Sequence, residues 1–392
     1  MTGSVLFYVQ HLLGIGHIRR VLRLVDGLAC KNIGVTLVSG GEPIPELACT
    51  AVERFVQLAP IRALDASFSR LVDAHGHPPD EKLKAERRAA LIAAFAAVRP
   101  DAVILEAFPF GRRAFRFELD PLIAAARSRR PRPFVLCSLR DIVVVREDIG
   151  RHREIVDRVR ADFDHVLVHG DPSLIPLEAS FSAASEIADR IIYTGYVGEP
   201  DRAVETDQTA GTGEVLVSAG GGAVGGALLS TALETRRQGC LADLTWRLLA
   251  GPNLPKREFV ALADRLPAGV VLERYRPDFP QMLRRCHVSV SQGGYNTILD
   301  TLSARAAAVI VPFSAERETE QSLRAEQLAA RGVLEVVREA ELSPGRLARA
   351  ILRATSRGPG TIVVDIGGAQ RSAELIAGMI RPGVWYPGRL AI

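Results

Sequence analysis

The sequence lacks any uncharged apolar run of about 18 residues or more, the length that a membrane-spanning helix requires. It also lacks the pattern of a signal peptide, since the apolar stretch after Met1 is short, follows no basic residue and precedes no small-residue cleavage site. We therefore expect a cytoplasmic protein. Peripheral contact with the inner membrane stays open.

The sequence also has few cysteines and little net charge. The 392 residues include 5 cysteines and no CxxC pair, which argues against a disulfide framework and against structural zinc. A net charge of +4, from 49 basic and 45 acidic residues, does not predict nucleic acid as a partner. No Asp-x-Asp pair stands at a predicted strand end beside a glycine-rich loop, so we expect no metal and no cofactor.

What the sequence does contain is an alternation of short β-branched runs with Ala-, Leu- and Arg-rich helical segments. This alternation is typical of parallel sheets with helical crossovers. The predicted strands are residues 4–10, 35–39, 102–105, 134–138, 165–169 and 190–194, and then 214–218, 245–249, 270–273, 288–291, 308–312 and 334–337.

The two series of strands are separated by residues 198–213, which are polar and rich in turn-forming residues and are therefore predicted to be a linker. The sequence thus predicts an α/β protein of two Rossmann-like domains, residues 1–197 and 214–392, facing a central cleft. The last helical stretch, residues 369–380, follows the final strand and is expected to pack on either domain, including back across the first.

A glycine-bearing turn follows the first predicted strand and contains Gly14, Gly16 and His17. Glycines there let a ligand approach the backbone and expose the amides of a helix N-terminus, which favour anions. Arg19 replaces the third glycine of the dinucleotide fingerprint, so a dinucleotide site is not predicted. A tight turn would explain the glycines alone. It would not explain His17, which is predicted at the carboxyl edge of a parallel sheet, where ligands bind.

A second glycine-rich loop opens the second series of strands. Its glycines are Gly220, Gly221, Gly222, Gly225 and Gly226. So many glycines are costly in chain entropy if they only form a turn. A nest of backbone amides for a diphosphate explains them better.

A third segment combines a strand, a glycine turn and a helix with polar side chains. Its residues are Gly293, Gly294, Asn296, Thr297 and Asp300, followed one strand later by Glu320 and Gln321 at a helix start. Solvent exposure would explain the carboxylate of Asp300, and the helix dipole would explain Glu320. Together, however, these residues place a carboxylate and an amide beside a glycine-rich loop, as a ribose next to a diphosphate requires.

The segment from residue 292 to 332 resembles the donor half of GT-B enzymes of glycosyltransferase family 28. The resemblance implies that Asp300 binds the ribose hydroxyls and that Glu320 and Gln321 contact the ribose or the donor sugar. The family usually has Glu where this chain has Asp300. The remaining predicted nucleotide-sugar contacts are Gly14, Gly16, Gly220, Gly221, Gly222, Gly293, Gly294, Asn296 and Thr297.

The resemblance also implies a reaction. A UDP-sugar would donate its sugar, with inversion and without a metal, to a hydroxyl or other nucleophile of a small-molecule or lipid-linked acceptor. His17 would be the general base, because an imidazole has a pKa suited to this near neutral pH. The pattern Gly14-x-Gly16-His17-x-x-Arg20 also resembles a nucleotide-sugar hydrolase of the same fold. A hydrolase, an epimerase and a non-catalytic sugar-nucleotide sensor therefore remain alternatives.

Acceptor contacts are predicted at the ends of other strands in the first domain. Glu106, Arg140 and Asp141 each follow a predicted strand and so fall at the same sheet edge as His17. A local pairing of Arg140 with Asp141 would explain that dipeptide equally well.

Overall fold

The computed structural model describes residues 3–12, 16–44, 51–64, 70–143, 149–198, 209–220, 225–313, 320–358, 362 and 364–381. The chain divides into two compact units. The first contains residues 1–198 and 365–392, and the second contains residues 199–364. The chain therefore leaves the first unit once and later returns to it.

Within the described residues, the first unit is built on a seven-stranded parallel sheet of order β3-β2-β1-β6-β7-β8-β9. A small antiparallel pair, β4 and β5, accompanies it. The strands are β1 Gly3–Val9, β2 Ile33–Ser39, β3 Arg54–Gln57, β4 Arg62–Ala63, β5 Leu71–Val72, β6 Ala102–Glu106, β7 Phe134–Arg140, β8 His165–His169 and β9 Ile191–Tyr193. The inner strands are mostly apolar because helices cover both faces of such a sheet.

Helices flank this sheet. They are α1 Gly16–Cys30, α2 Glu81–Val98, α3 Arg116–Ser128 and α4 Ile149–Asp162. Asp80 caps α2 by accepting a hydrogen bond from the backbone N–H of Leu83 at 2.8 Å.

A buried ion pair ties α2 and α3 to the end of β1. The guanidinium of Arg87 donates to Glu118 Oε1 at 2.6 Å and to Gln10 Oε1 at 2.8 Å, and Tyr8 Oη donates to the same Glu118 oxygen at 2.5 Å. Arg87 also donates to the carbonyl of Gly40 at 2.9 Å. Since buried charges are stable only when they are paired and hydrogen-bonded, this network fixes where β1 ends and the site begins.

The described part of the second unit contains a six-stranded parallel sheet of order β12-β11-β10-β13-β14-β15. Its strands are β10 Val215–Ser218, β11 Trp246–Leu249, β12 Val270–Glu273, β13 Val288–Ser291, β14 Ala308–Ile310 and β15 Glu335–Val336. Its helices are α5 Gly226–Arg237, α6 Lys256–Ala263, α7 Phe279–Leu283, α8 Tyr295–Ala304, α9 Glu320–Ala330 and α10 Pro344–Arg357.

The last helix, α11 Gly368–Ile380, belongs to the first unit and packs along α1. The two helices approach closely at Gly27, where an added Cβ would lie 2.7 Å from the carbonyl oxygen of Ala369. Ala373 and Ile376 of α11 join the core that α1 forms with β1. No helix in the described part of the chain has the length and apolarity to cross a membrane.

Candidate active site

The first unit has a topological switch point beside β1. From β1 the chain builds β2 and β3 on one side and later returns to build β6 to β9 on the other, which opens a crevice at the carboxyl ends of β1 and β6. His17 lies in the first turn of α1, which follows β1, and Glu106 is the last residue of β6. The fold therefore brings residues 17 and 106 to the same crevice.

His17 and Glu106 are hydrogen-bonded at this point. His17 Nδ1 lies 2.6 Å from Glu106 Oε1, and Arg20 Nη2 donates to the same oxygen at 2.5 Å. Arg112 Nη2 lies 3.5 Å from the other oxygen, Oε2. Burial alone would raise the pKa of the fully buried Glu106, but the hydrogen bond with His17 and the charges of Arg112 and Arg20 outweigh it and lower that pKa. The carboxylate is thus ionised at neutral pH.

His17 is neutral under the same conditions. Burial lowers the pKa of His17 to about 4, Glu106 opposes this shift, and the charges of Arg140 and Arg112 add to it. Because an ionised carboxylate can only accept, Nδ1 carries the proton and donates to Glu106. Nε2 then has the lone pair. This is the arrangement of a general base that is oriented by a carboxylate.

The three predicted acceptor residues differ in their burial and in their partners. Glu106 is buried and bonded to His17, and Arg140 ends β7 with a charge that reaches His17. The side chain of Asp141 is fully buried, and it accepts a hydrogen bond from the backbone N–H of Ile142 at 3.0 Å. Of the three, only Arg140 stands partly exposed beside His17.

Neither Arg20 nor Arg112 was predicted individually as a site residue from the sequence. Arg112 has a left-handed backbone with φ of 60°, as has Ala107 with φ of 62°. Such conformations are unusual for residues other than glycine and are typical of functional sites. The Pro109 and Gly111 that follow β6 were the available sequence signal for this tight loop.

His11 is a second imidazole that the sequence analysis did not single out. Its Nε2 lies 2.9 Å from the carbonyl oxygen of Glu42, so Nε2 is the protonated nitrogen. The ring lies against Gly41, where an added Cβ would come within 2.4 Å of it. Burial lowers the pKa of His11, and the charges of Arg112 and Glu106 also act on it.

A third imidazole lies deeper, at the end of β8. The side chain of His169 is fully buried, with Nε2 at 2.8 Å from Ser138 Oγ and Nδ1 at 2.8 Å from Thr194 Oγ1. Burial lowers the pKa of His169 to about 3, and the charge of Arg20 acts in the same direction. His169 is therefore a neutral, structural residue beneath the crevice.

The second unit has its own switch point, because β10 lies between β11 and β13. Gly220 follows β10 with a positive φ of 68°, and Gly293 and Gly294 follow β13. The predicted contacts Gly14, Gly221 and Gly222 lie outside the described residues. Gly16, which is exposed, begins α1 in the first unit.

The N-terminus of α8 points to an anion site at this switch point. Gly294 is the cap residue and makes no side-chain cap bond, so the first-turn amides of α8 can bind a phosphate. Asn296 and Thr297 lie in that first turn, and Asp300 lies one turn farther along the helix, partly buried. The predicted diphosphate and ribose contacts of this motif therefore share one short helix.

Gln321 packs directly on the glycine turn. Its Oε1 accepts a hydrogen bond from the backbone N–H of Phe313 at 3.2 Å, so the contact that we expect with a ribose is donated by its NH2 group. A Cβ added at Gly293 would lie 3.3 Å from the Cβ of Gln321. Glu320 instead accepts a hydrogen bond from Arg324 at 2.9 Å, and that guanidinium lies 5.2 Å from the ring centroid of Tyr295. This contact joins α9 to α8.

Comparison with known proteins relates the chain to glycosyltransferases. Residues 219–360 match the model of the glycosyltransferase family 28 C-terminal domain. An uncharacterized glycosyltransferase of Methanopyrus kandleri is 28% identical over 168 residues, which are 42% of this chain and 45% of that protein. The UDP-N-acetylglucosamine–N-acetylmuramyl-(pentapeptide) pyrophosphoryl-undecaprenol N-acetylglucosamine transferase of Rhizobium johnstonii is 29% identical over 30% of this chain and 32% of its own. The chain thus spans less than half the length of these relatives.

Solved structures resemble the chain over nearly its whole length. The calicheamicin glycosyltransferase CalG4 superposes with a TM-score of 0.60 at 17% identity, covering 97% of this chain and 94% of its own. MurG of Acinetobacter baumannii superposes with a TM-score of 0.57 at 15% identity, covering 95% of this chain and 99% of its own. The predicted α/β fold class and the resemblance to family 28 are confirmed: the chain has the GT-B fold, and its residues 219–360 match the model of the C-terminal domain of glycosyltransferase family 28.

Proposed function

We propose that the protein transfers a sugar from a nucleotide-sugar donor of the UDP type to a hydroxyl of a small-molecule or lipid-linked acceptor. The observation that carries this proposal is the hydrogen bond between His17 Nδ1 and the buried carboxylate of Glu106, 2.6 Å long. It leaves Nε2 as a proton acceptor at the switch point of the first unit. The family 28 domain in the second unit supports the choice of donor.

In the proposed reaction, the acceptor oxygen attacks the anomeric carbon from the side opposite the diphosphate. A carbon–oxygen bond forms to the acceptor while the bond to the diphosphate breaks, and the configuration inverts. The acceptor proton passes to His17 Nε2, and Glu106 stabilises the imidazolium that forms. The leaving group takes the bonding electron pair.

Negative charge develops on the diphosphate leaving group, and we assign its stabilisation to backbone amides of the second unit. Amides of the first turn of α8 are fixed dipoles, which stabilise a developing charge without reorganising in the transition state. Such dipoles can act without a metal, and we propose a metal-independent reaction for this reason. The ribose is assigned to Asp300 and Gln321.

The test is an incubation of the purified protein with a panel of nucleotide sugars, with and without a panel of hydroxylated acceptors, in buffer containing a chelator. We expect nucleotide release that requires an acceptor, and a product whose anomeric configuration, read by NMR, is opposite to that of the donor. Absence of nucleotide release from every donor, or retained configuration, would contradict the proposal.

A nucleotide-sugar hydrolase is the second candidate. It is favoured by one observation, the bond between Arg20 and Glu106, because it gives a structural role to the arginine of the Gly-x-Gly-His-x-x-Arg pattern. A hydrolase would release free sugar without any acceptor, and an epimerase would return an isomeric nucleotide sugar. The same incubation separates these products.

A further inference from the structure

The crevice at His17 holds more positive than negative charge. The charges that act on His17 come from Glu106, Arg140 and Arg112, and Arg20 adds a third guanidinium bonded to Glu106. His11 and His17 are both neutral at pH 7, because burial lowers the pKa of each. Glu106 is the anion that these guanidinium groups share, and its Oε1 already accepts hydrogen bonds from His17 and Arg20.

Glu106 pairs with Arg112 less closely than with Arg20. Its side chain is 10% exposed, and its ion pair with Glu106 Oε2, at 3.5 Å, is too long for a good hydrogen bond. Its Nε is buried without a hydrogen-bond partner among the described residues. Burying a guanidinium N–H donor without a partner is costly unless a ligand accepts it. The left-handed backbone at Arg112 holds it there.

Two unused acceptor atoms belong to the same cluster. Within the described residues, neither His11 Nδ1 nor Glu106 Oε2 has a hydrogen-bond partner, and both atoms are buried. The charges of Arg112 and Glu106 both act on the pKa of His11. Buried polar atoms are nearly always paired in folded proteins, so this grouping of one donor and two acceptors indicates a ligand that carries both an acidic oxygen and a hydroxyl.

We infer that the first unit binds an anionic acceptor through Arg112, beside the hydroxyl that His17 deprotonates. The inference rests on the proposed transferase function and names its acceptor class: a hydroxylated molecule with an oxyanion, which is a carboxylate or a phosphate. A planar guanidinium fork matches either group with two parallel hydrogen bonds. Arg140, at the end of the next strand, adds favourable charge without being required to touch the ligand.

Anion binding can be measured without turnover. The protein labelled with ¹⁵N-histidine is titrated with sodium acetate and with inorganic phosphate at constant ionic strength, and the ring signals of His17 are followed by NMR. We expect a saturable change and a higher pKa of His17, because a neighbouring anion stabilises the imidazolium. The anion that binds more tightly identifies the source of the charge. No saturable response to either anion would overturn the inference.

Substitutions of Arg112 and of its neighbour Arg113 test whether Arg112 binds the anion. Arg112→Gln should weaken anion binding about tenfold or more, as expected for loss of a charge-assisted bidentate contact, whereas the exposed neighbour Arg113→Gln should bind as the parent does. If Arg112→Gln lowers the melting temperature too far for titration, Arg112→Lys keeps the charge without the fork and should show intermediate binding. Equal affinity in the parent and the folded Arg112 variant would overturn the assignment.

Turnover then distinguishes this inference from the proposed function. Acceptors are tested in pairs that differ only by a carboxylate or a phosphate, and Arg112→Gln should raise KM for the charged member about tenfold while the KM for the donor stays unchanged. Transfer that prefers the neutral member of each pair would overturn the inference and leave the transferase function intact. Saturable anion binding without transfer from any donor would instead refute the transferase function alone.

Discussion

A neutral imidazole that donates one ring proton to a buried carboxylate has its other nitrogen ready to accept a proton. His17 is held in this state by Glu106, which Arg20 keeps ionised and in place. The low pKa of His17, about 4, means that the base remains competent well below neutral pH. It also makes His17 a weaker base than an exposed histidine, so catalysis depends on its orientation.

Replacement of His17 by alanine should therefore separate rate from binding. We expect turnover to fall about a hundredfold or more, because base catalysis acts in the transition state, while UDP affinity stays near the parental value. Turnover, UDP affinity and melting temperature are measured on the same preparation. The control is His75→Ala, which removes an exposed histidine of the same unit. Near-parental turnover of His17→Ala would remove this residue from the mechanism.

His169 should make stability depend on pH. The pKa of His169 is about 3 in the folded protein and near the ordinary 6.5 in the unfolded chain. Between these values the unfolded chain binds a proton at His169 and the native state does not. The contribution to the free energy of unfolding is present above pH 6.5 and is lost as the pH falls towards 3, by about 1.4 kcal/mol per pH unit. Urea unfolding of the parent and of His169→Gln measures it. Between about pH 7 and pH 5 the variant should lose about 2 kcal/mol less than the parent, and equal losses would contradict this account.

At the scale of elements, the donor site of the second unit depends on two helices that begin at the same edge of the sheet. Gln321 lies in the first turn of α9 and Asp300 lies on α8, and both are partly buried. Gln321→Ala and Asp300→Ala should each weaken nucleotide-sugar binding by about 1 to 3 kcal/mol, the cost of one hydrogen bond to a neutral or charged partner. Calorimetric titration with UDP measures this loss.

The matched control for Gln321 is Gln327→Ala on the same helix, because the Gln327 side chain accepts a hydrogen bond from Arg331 on the far side of α9. It should bind UDP as the parent does. Parental affinity in both Gln321→Ala and Asp300→Ala would show that the family motif does not carry its usual contacts here.

Gly293 should be intolerant of a side chain for a packing reason. An added Cβ would lie 3.3 Å from both Gln321 Cβ and Ile310 Cγ2, closer than ordinary contact, so Gly293→Ala should displace Gln321 and weaken UDP binding about tenfold. The control is Gly345→Ala in the first turn of α10, where the nearest atom, Arg349 Nη1, is 3.8 Å away. Equal UDP affinity in the two variants would contradict the proposed contact.

The sequence predicts most of the inner strands because a strand buried on both faces is a continuous apolar run. The predicted residues 165–169 and 288–291 coincide with the inner strands β8 and β13. The sequence does not predict β3, because Arg54–Gln57 lie at the sheet edge with Phe55 54% exposed and form no apolar run. The predicted strand at residues 308–312 is too long, since β14 ends at Ile310.

The site is predicted less completely than the sheets. Strand ends and glycine turns indicate which edge carries ligands, and this places His17 and Glu106 at one crevice. Their hydrogen bond joins residues far apart in the chain, and the position of Arg112 depends on two left-handed backbone conformations in a short loop. Local sequence patterns contain neither the pairing nor that strain.

At the scale of the whole molecule, the preferred nucleotide can be identified from how strongly each nucleotide stabilises the folded protein. UDP or a UDP-sugar should stabilise the protein more than ADP, GDP or CMP species, because the motifs of residues 292–321 resemble those of UDP-sugar enzymes. A ligand that binds only the folded state adds about 2.7 kcal/mol at a hundredfold excess over its Kd, which a melting experiment resolves. A larger shift with another nucleotide would refute the assignment of the base and leave the fold unaffected.

The return of the chain to the first unit has a consequence for biosynthesis. The apolar face of α1 is covered by α11, which is translated only after residues 199–364 have been made. At typical rates of about 5 to 20 residues per second, the ribosome needs on the order of 10 to 30 s to reach that helix. During this interval the core that α1 forms with β1 lacks Ala373 and Ile376, so the nascent first unit would expose apolar surface that a chaperone can bind until the final helix emerges.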